Sequence, residues 1–222
     1  LVSSDTLIYN TATDSNIKLI THKTIECFVN IRKINDHRFL NKFFETVNEK
    51  LPFGGFYVGV AETLEARYAK INKKNFFVFR HFLLAWDFVF HRVAPKLPFI
   101  QSFYFPLTNG KNRAISKAEI LGRLYSCGFE VVSYTTIDNQ FLFCVRKIKA
   151  PAYDMMPTYG PFVALRRVAK NGKIIRVYKF RTMYPYSEYI QKYLVEQNGY
   201  DEVGKIRNDF RVTPWGKWFR KV

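Results

Sequence analysis

The chain has 222 residues, 48% hydrophobic and 18% aromatic, enough to bury the core of one large or two small domains and too apolar for a disordered segment. Against 18 acidic residues stand 35 Lys and Arg, a formal charge of +17, which attracts phosphorylated substrates, anionic lipid headgroups or nucleic acid without choosing among them. Cys27, Cys127 and Cys144 are odd in number and widely spaced, which argues against a disulfide framework or a zinc knuckle and for a reducing, cytoplasmic setting.

The first 150 residues alternate between strand and helix patterns, as an α/β domain does. Leu7-Ile8-Tyr9 and Cys27 to Ile34 read as strands. Asp36 to Leu51 reads as a helix carrying Phe39, Leu40, Phe43, Phe44 and Val47 on one side, broken by Pro52-Phe53-Gly54-Gly55. Phe56 to Val60 suits a buried strand, and Glu62 to Ile71 is helical again.

Phe76 to Ile100 is the most hydrophobic stretch, yet Arg80, Asp87, His91 and Arg92 interrupt it. It therefore lacks the roughly 18 apolar residues of a membrane span. Phe79, Phe82, Leu83, Trp86, Phe90 and Val93 recur at helical spacing opposite Arg80, Asp87 and His91, predicting one amphipathic helix ended near Pro95. Its apolar face is expected against the core. The alternative is an interfacial helix, with the aromatics in the acyl boundary and Arg92 and Lys96 on lipid phosphates.

Ser116-Lys117-Ala118-Glu119 has capping-box spacing, and Ile120, Leu121, Leu124 and Tyr125 follow at helical intervals up to Gly128. Glu130 to Thr136 and Gln140 to Lys147 flank Asp138-Asn139 as a hairpin. Helix, Gly-Phe-Glu, strand, turn, strand resembles the C-terminal end of a class I methyltransferase fold, a Rossmann-like arrangement. So does the helix ending in Pro52-Phe53-Gly54-Gly55 before a strand. The glycine-rich cofactor loop of that fold is absent from these residues, so a generic α/β scaffold without cofactor is expected, unless residues before Leu1 supply the loop.

The texture changes at Ala150-Pro151, with Met155-Met156-Pro157 and Tyr159-Gly160-Pro161 following. This is the expected boundary between a domain of residues 1–150 and a second one of residues 151–222. Beyond it, Arg166-Arg167-Val168-Ala169-Lys170-Asn171-Gly172-Lys173 holds a two-residue Asn-Gly hairpin turn flanked by Arg167 and Lys173. The strand Val177-Tyr178-Lys179-Phe180-Arg181-Thr182-Met183 returns antiparallel, with Lys179 and Arg181 on one face and Tyr178, Phe180 and Thr182 on the other. Ser187 to Asn198 reads as a helix stopped by Gly199, and Tyr186, Tyr189 and Tyr193 are expected to pack rather than line an entrance.

The basic turn, the Tyr-Lys-Phe-Arg-Thr-Met strand, Asn208-Asp209-x-Arg211-x-Thr213 and Gly216-Lys217-x-x-Arg220-Lys221 together resemble the bacterial sugar transferase family of polyprenyl-phosphate phosphoglycosyl transferases. The likeness runs from about Gly160 to Val222. It implies a truncated α+β transferase domain following the α/β region. It also implies transfer of a sugar-1-phosphate from a nucleotide diphosphate sugar to polyprenyl (undecaprenyl) phosphate, with release of the nucleoside monophosphate, to begin a surface polysaccharide. In that chemistry an Asp of an adjacent Asp-Glu pair attacks phosphorus with the help of Mg2+, and the lipid phosphate intercepts the phosphosugar-enzyme intermediate. Lys179, Arg181 and Arg211 are the implied phosphate contacts, with Arg167 and Lys173 as the basic turn.

Asp201-Glu202 precedes the Asn208-Asp209 motif, whereas the family's pair follows the Gly-Lys-x-x-Arg-Lys stretch. Asp201 and Glu202 are accordingly expected to be loop carboxylates, the catalytic pair to lie beyond Val222, and this fragment to be inactive. Ala169 stands where the family usually has glycine. Residues 150–160 are too short and polar for the re-entrant membrane helix that normally precedes the turn. The resemblance implies a peripheral or monotopic protein at the cytoplasmic face of the bacterial inner membrane, with a membrane surface but no nucleic acid among its partners. The competing readings are a basic nucleic-acid-binding module, suggested by charge and aromatics but lacking a recognised motif, and an S-adenosylmethionine-dependent methyltransferase-like domain.

Overall fold

A computed structural model describes residues 5–21, 25–74, 77–153 and 159–220. Phe76, the Met155-Met156-Pro157 stretch, Lys221 and Val222 lie outside the described residues. The chain folds as β1 (Thr6–Tyr9), α1 (Ser15–Lys18), β2 (Cys27–Lys33), α2 (Leu40–Lys50), β3 (Phe56–Ala61), α3 (Leu64–Lys74), α4 (Phe77–Phe88), α5 (Pro98–Thr108), α6 (Lys117–Ser126), β4 (Phe129–Ile137) and β5 (Gln140–Lys147). Then come β6 (Phe162–Val168), β7 (Ile174–Phe180), α7 (Gln191–Asn198) and α8 (Pro214–Phe219).

Five strands form one sheet in the order β1-β2-β3-β5-β4. β1, β2 and β3 are parallel, with Thr6 opposite Cys27 and Cys27 opposite Phe56. β5 runs antiparallel between β3 and β4. The parallel strands need crossovers, which α2 supplies between β2 and β3, while Asp138 and Asn139, both at positive φ, close the β4–β5 hairpin as expected. The mixed α/β class expected from the pattern is the one observed.

Tyr57 sits at the centre of the core, its ring against Phe28, Phe43, Phe44, Phe129 and Phe143. Ile120, Leu121 and Leu124 of α6 complete this cluster, and each such side chain contributes roughly 1.5–3 kcal/mol on burial. Ser116 caps α6, its hydroxyl accepting from Glu119 N–H, as the capping box predicts.

The expected single helix over residues 76–95 is corrected in two ways. α4 passes at Val89–Val93 into a π-helical turn and then a 3-10 turn, and a further helix, α5, follows although it contains Pro106. The core-packing expectation also holds only in part, with Leu83, Phe90 and Val93 half-buried. Phe79, Phe82 and Trp86 are exposed, whereas Asp87 and Arg92 are buried. The cause is electrostatic: Arg67 of α3 grips Asp87 through Nε at 2.9 Å to both oxygens, and Arg92 reaches Glu119 of α6 at 3.3 Å. Buried charges must be paired, so the polar face turns inward. Arg92 and Lys96 thus point at Glu119 rather than at lipid.

The helix expected from Ser187 starts instead at Gln191. Residues 185–190 run as turns, with Tyr186 at φ 62° and its backbone on α6, where a Cβ on Gly122 would come 2.2 Å from Tyr186 O. The tyrosines pack, Tyr186 accepting a hydrogen bond from Asn41 and Tyr193 lying against Tyr125.

Candidate functional site

β6 and β7 form an antiparallel ribbon pairing Phe162 with Phe180 and Val168 with Ile174. The turn holds three residues, Lys170–Gly172, one more than expected. Asn171 and Gly172 both take positive φ, and Ala169 N–H closes the turn on Lys173 O at 2.7 Å. Arg167 and Lys173 flank it, both exposed. Cross-strand pairing puts Lys179 opposite Val163, on the face shared by half-buried Leu165 and Val177. Arg181 continues that alternation, its N–H still bonded to Pro161 O and its Nε donating to Gly160 O at 2.8 Å. On the other face Phe180 stacks on Phe219 of α8.

The Asn208-Asp209-x-Arg211-x-Thr213 motif folds back on this strand. Met183 bridges Val212, and Tyr184 N–H donates to Arg211 O. Thr213 caps α8, its hydroxyl accepting from Gly216 N–H and donating to Thr182 O. A Cβ on Gly216 would sit 2.1 Å from that same Thr182 O, so only glycine admits the approach. Arg211 is buried, its Nε and Nη2 held by the two oxygens of Asp209 at 2.8 and 2.9 Å and its Nη1 near Ser187 O.

The implied phosphate contacts therefore divide. Arg181 lines a cleft of about 280 Å3 with Phe88, Leu97, Tyr159, Tyr184 and Trp215. Burial presses its pKa down, partly offset by Glu188. Arg211 lines an open hollow of about 540 Å3 with Tyr200, Asp201, Asp209, Lys217 and Arg220. Met183 borders both. Asp201 accepts from the N–H groups of Val203 and Lys205, closing a turn as a loop carboxylate does. Among the described residues no three His, Cys, Asp or Glu side chains converge as a metal site.

Sequence reasoning missed the neighbour of this cleft. A second cavity of about 140 Å3 shares Arg92, Lys96 and Tyr159 with it and adds Arg113, Glu119 and Arg123. Glu119 and Arg123, four apart on α6, were the available signal. Glu119 is held far below the usual carboxylate range, the pull of Lys96, Arg123 and Arg92 overcoming the cost of burial.

Residues 140–222 match the family described as bacterial sugar transferase. The match covers less than half of the chain and begins with the first residue of β5, ahead of the motifs at Gly160. It agrees with the resemblance seen in the C-terminal motifs and supports a sugar-phosphate transferase role in general. No curated protein matches the chain.

Proposed function

We propose that the full-length protein transfers a sugar-1-phosphate from a nucleotide diphosphate sugar to polyprenyl phosphate at the cytoplasmic face of the bacterial inner membrane. One observation carries this reading: the Tyr-Lys-Phe-Arg-Thr-Met segment, the Asn208-Asp209-x-Arg211-x-Thr213 motif and Gly216 meet at Thr182, with Lys179 near the end of β7 and Arg181 just beyond it. In this reading those two cations hold phosphate oxygens and neutralise charge that would repel an attacking carboxylate. Arg211 acts through its Asp209 pair, keeping residues 182–187 in place.

Transfer by the implied route is a double displacement. A carboxylate oxygen bonds to the sugar-phosphate phosphorus as the bond to the nucleoside monophosphate breaks. A lipid phosphate oxygen then displaces the carboxylate. The test is release of UMP from a panel of UDP-sugars by the full-length protein with undecaprenyl phosphate and magnesium. Arg181→Ala and Lys179→Ala are expected to lower kcat/KM at least tenfold, and silence across the panel would sink the proposal.

Membrane attachment belongs to the same proposal. No helix among the described residues is long and apolar enough to cross a bilayer. α4 exposes Phe79, Phe82 and Trp86, and α5 exposes Phe99 (88%), Phe103 (81%) and Leu107 (75%). These stripes on a chain of charge +17 suit an anionic lipid surface.

A further inference from the structure

The cavity beside the cleft holds an imbalance of charge. Arg92, Lys96, Arg113 and Arg123 line it with a single carboxylate, Glu119. Glu119 is already shared three ways: Arg123 Nη2 lies 2.8 Å from Oε1, and Arg92 Nη2 and Lys96 Nζ lie 3.3 and 3.5 Å from Oε2. Arg92 and Arg123 are under a tenth exposed. Lys96 and Arg113 beside them are half-buried. Cations removed from water are costly unless an anion meets them, and one carboxylate does not balance two buried guanidinium groups with two further cations at their side.

Unpaired polar atoms lie at the same place. Arg113 Nη2 donates to His37 O, but its buried Nε has no partner, nor has buried His91 Nδ1. Tyr159 adds a hydroxyl 3.0 Å from Arg123 Nη2 and a ring 5.0 Å from Lys96 Nζ. The crowding of like charge acts on two of these groups. Burial, with repulsion from Arg92 and Arg123 opposing the pull of Glu119, brings Lys96 down to about 7. Burial and the nearby Arg123 bring Arg113 down to about 10.

We propose that this cavity is a binding site for a phosphate or diphosphate group, gripped by Arg92, Lys96, Arg113 and Arg123. Guanidinium forks match several oxygens of one tetrahedral oxyanion at once, which a monovalent halide does not exploit. The cavity volume, about 140 Å3, admits a phosphate or diphosphate but not an attached nucleoside, so the rest of any larger ligand continues elsewhere. The opening through Arg92, Lys96 and Tyr159 leads to the cleft walled by Phe88, Val93, Leu97 and Trp215, where an apolar chain is at home. The four cations lie before residue 140, outside the family match, so the site does not depend on the transferase reading.

Isothermal titration of the protein with inorganic phosphate, pyrophosphate and decyl phosphate tests this, alongside Lys96→Gln and Arg113→Gln variants whose folding is checked by thermal melting. Saturable binding of at least one phosphate species, weakened tenfold or more in Lys96→Gln, is expected. Lys96 lies at the rim, so this variant keeps the test alive should Arg113→Gln fail to fold. Decyl phosphate binding tenfold tighter than inorganic phosphate identifies a lipid headgroup as the source, and equal binding identifies a free phosphate. No saturable binding of any of the three, or unchanged binding in both folded variants, overturns the site. UMP release reads Lys179 and Arg181 instead, so failure of one proposal is separable from failure of the other.

Discussion

Two residues show how local chemistry sets behaviour. His37 is 1% exposed, and burial, reinforced by Arg113, lowers its pKa to about 4. The folded protein therefore keeps it neutral where the unfolded chain protonates it. Its contribution to stability is complete above about pH 6.5 and is lost as pH falls toward 4, a difference on the order of 3 kcal/mol. Urea midpoints at pH 7 and 5 should fall more in the wild type than in His37→Gln, and equal slopes would refute the assignment. Glycine supplies the second case. Gly216→Ala must push a methyl into Thr182 O and is expected to cost about 1–3 kcal/mol, whereas Gly160→Ala meets nothing within 4 Å and should leave Tm unchanged.

At the scale of elements, the five strands of the sheet, the capped helix α6 and the Asp138-Asn139 hairpin were legible because each is specified by neighbours in sequence. The orientation of α4 was not. A 3.6-residue period shows that a helix has two faces but not which one is buried, and the ion pairs that decide it, Arg67 to Asp87 and Arg92 to Glu119, span 20 and 27 residues. α5 was not read from the sequence at all, and it carries Pro106 inside it; the fork of Arg211 on Asp209 is invisible in a motif that reads as two charges. Asp87→Ala should cost about 1–3 kcal/mol, because it strips buried Arg67 of its closest carboxylate and leaves Glu62, at 3.5 Å, to carry the charge alone. Phe103→Glu, on the exposed side of α5, should leave Tm within 2 °C, on the order of 0.5 kcal/mol, while lowering flotation with phosphatidylglycerol vesicles at least threefold. Unchanged flotation would remove α5 from the membrane-binding surface.

For the molecule as a whole, the C-terminal motifs do not stand apart from the α/β sheet. Tyr186 lies on Gly122 and bonds Asn41, Tyr193 packs on Tyr125, and Trp215 meets Phe88. The cleft beside Arg181 thus has one wall from residues 88–97, at and beyond the end of α4, and another from residues 159–215. Contacts spread this widely should make the two regions unfold together. Far-UV circular dichroism follows mainly the helices and sheet of the first 150 residues, while two of the three tryptophans, Trp215 and Trp218, report on α8. In the wild type the two thermal curves should coincide, as one cooperative transition requires. Gly122→Val drives a branched side chain into the Tyr186 backbone, where a single Cβ already falls 2.2 Å from its oxygen. The expected result is a fluorescence transition that moves several degrees below the dichroism transition, with loss of UMP release although no phosphate-holding side chain has changed. If the curves still coincide and activity survives, the α/β region is a neighbour of the transferase segment rather than a wall of its site.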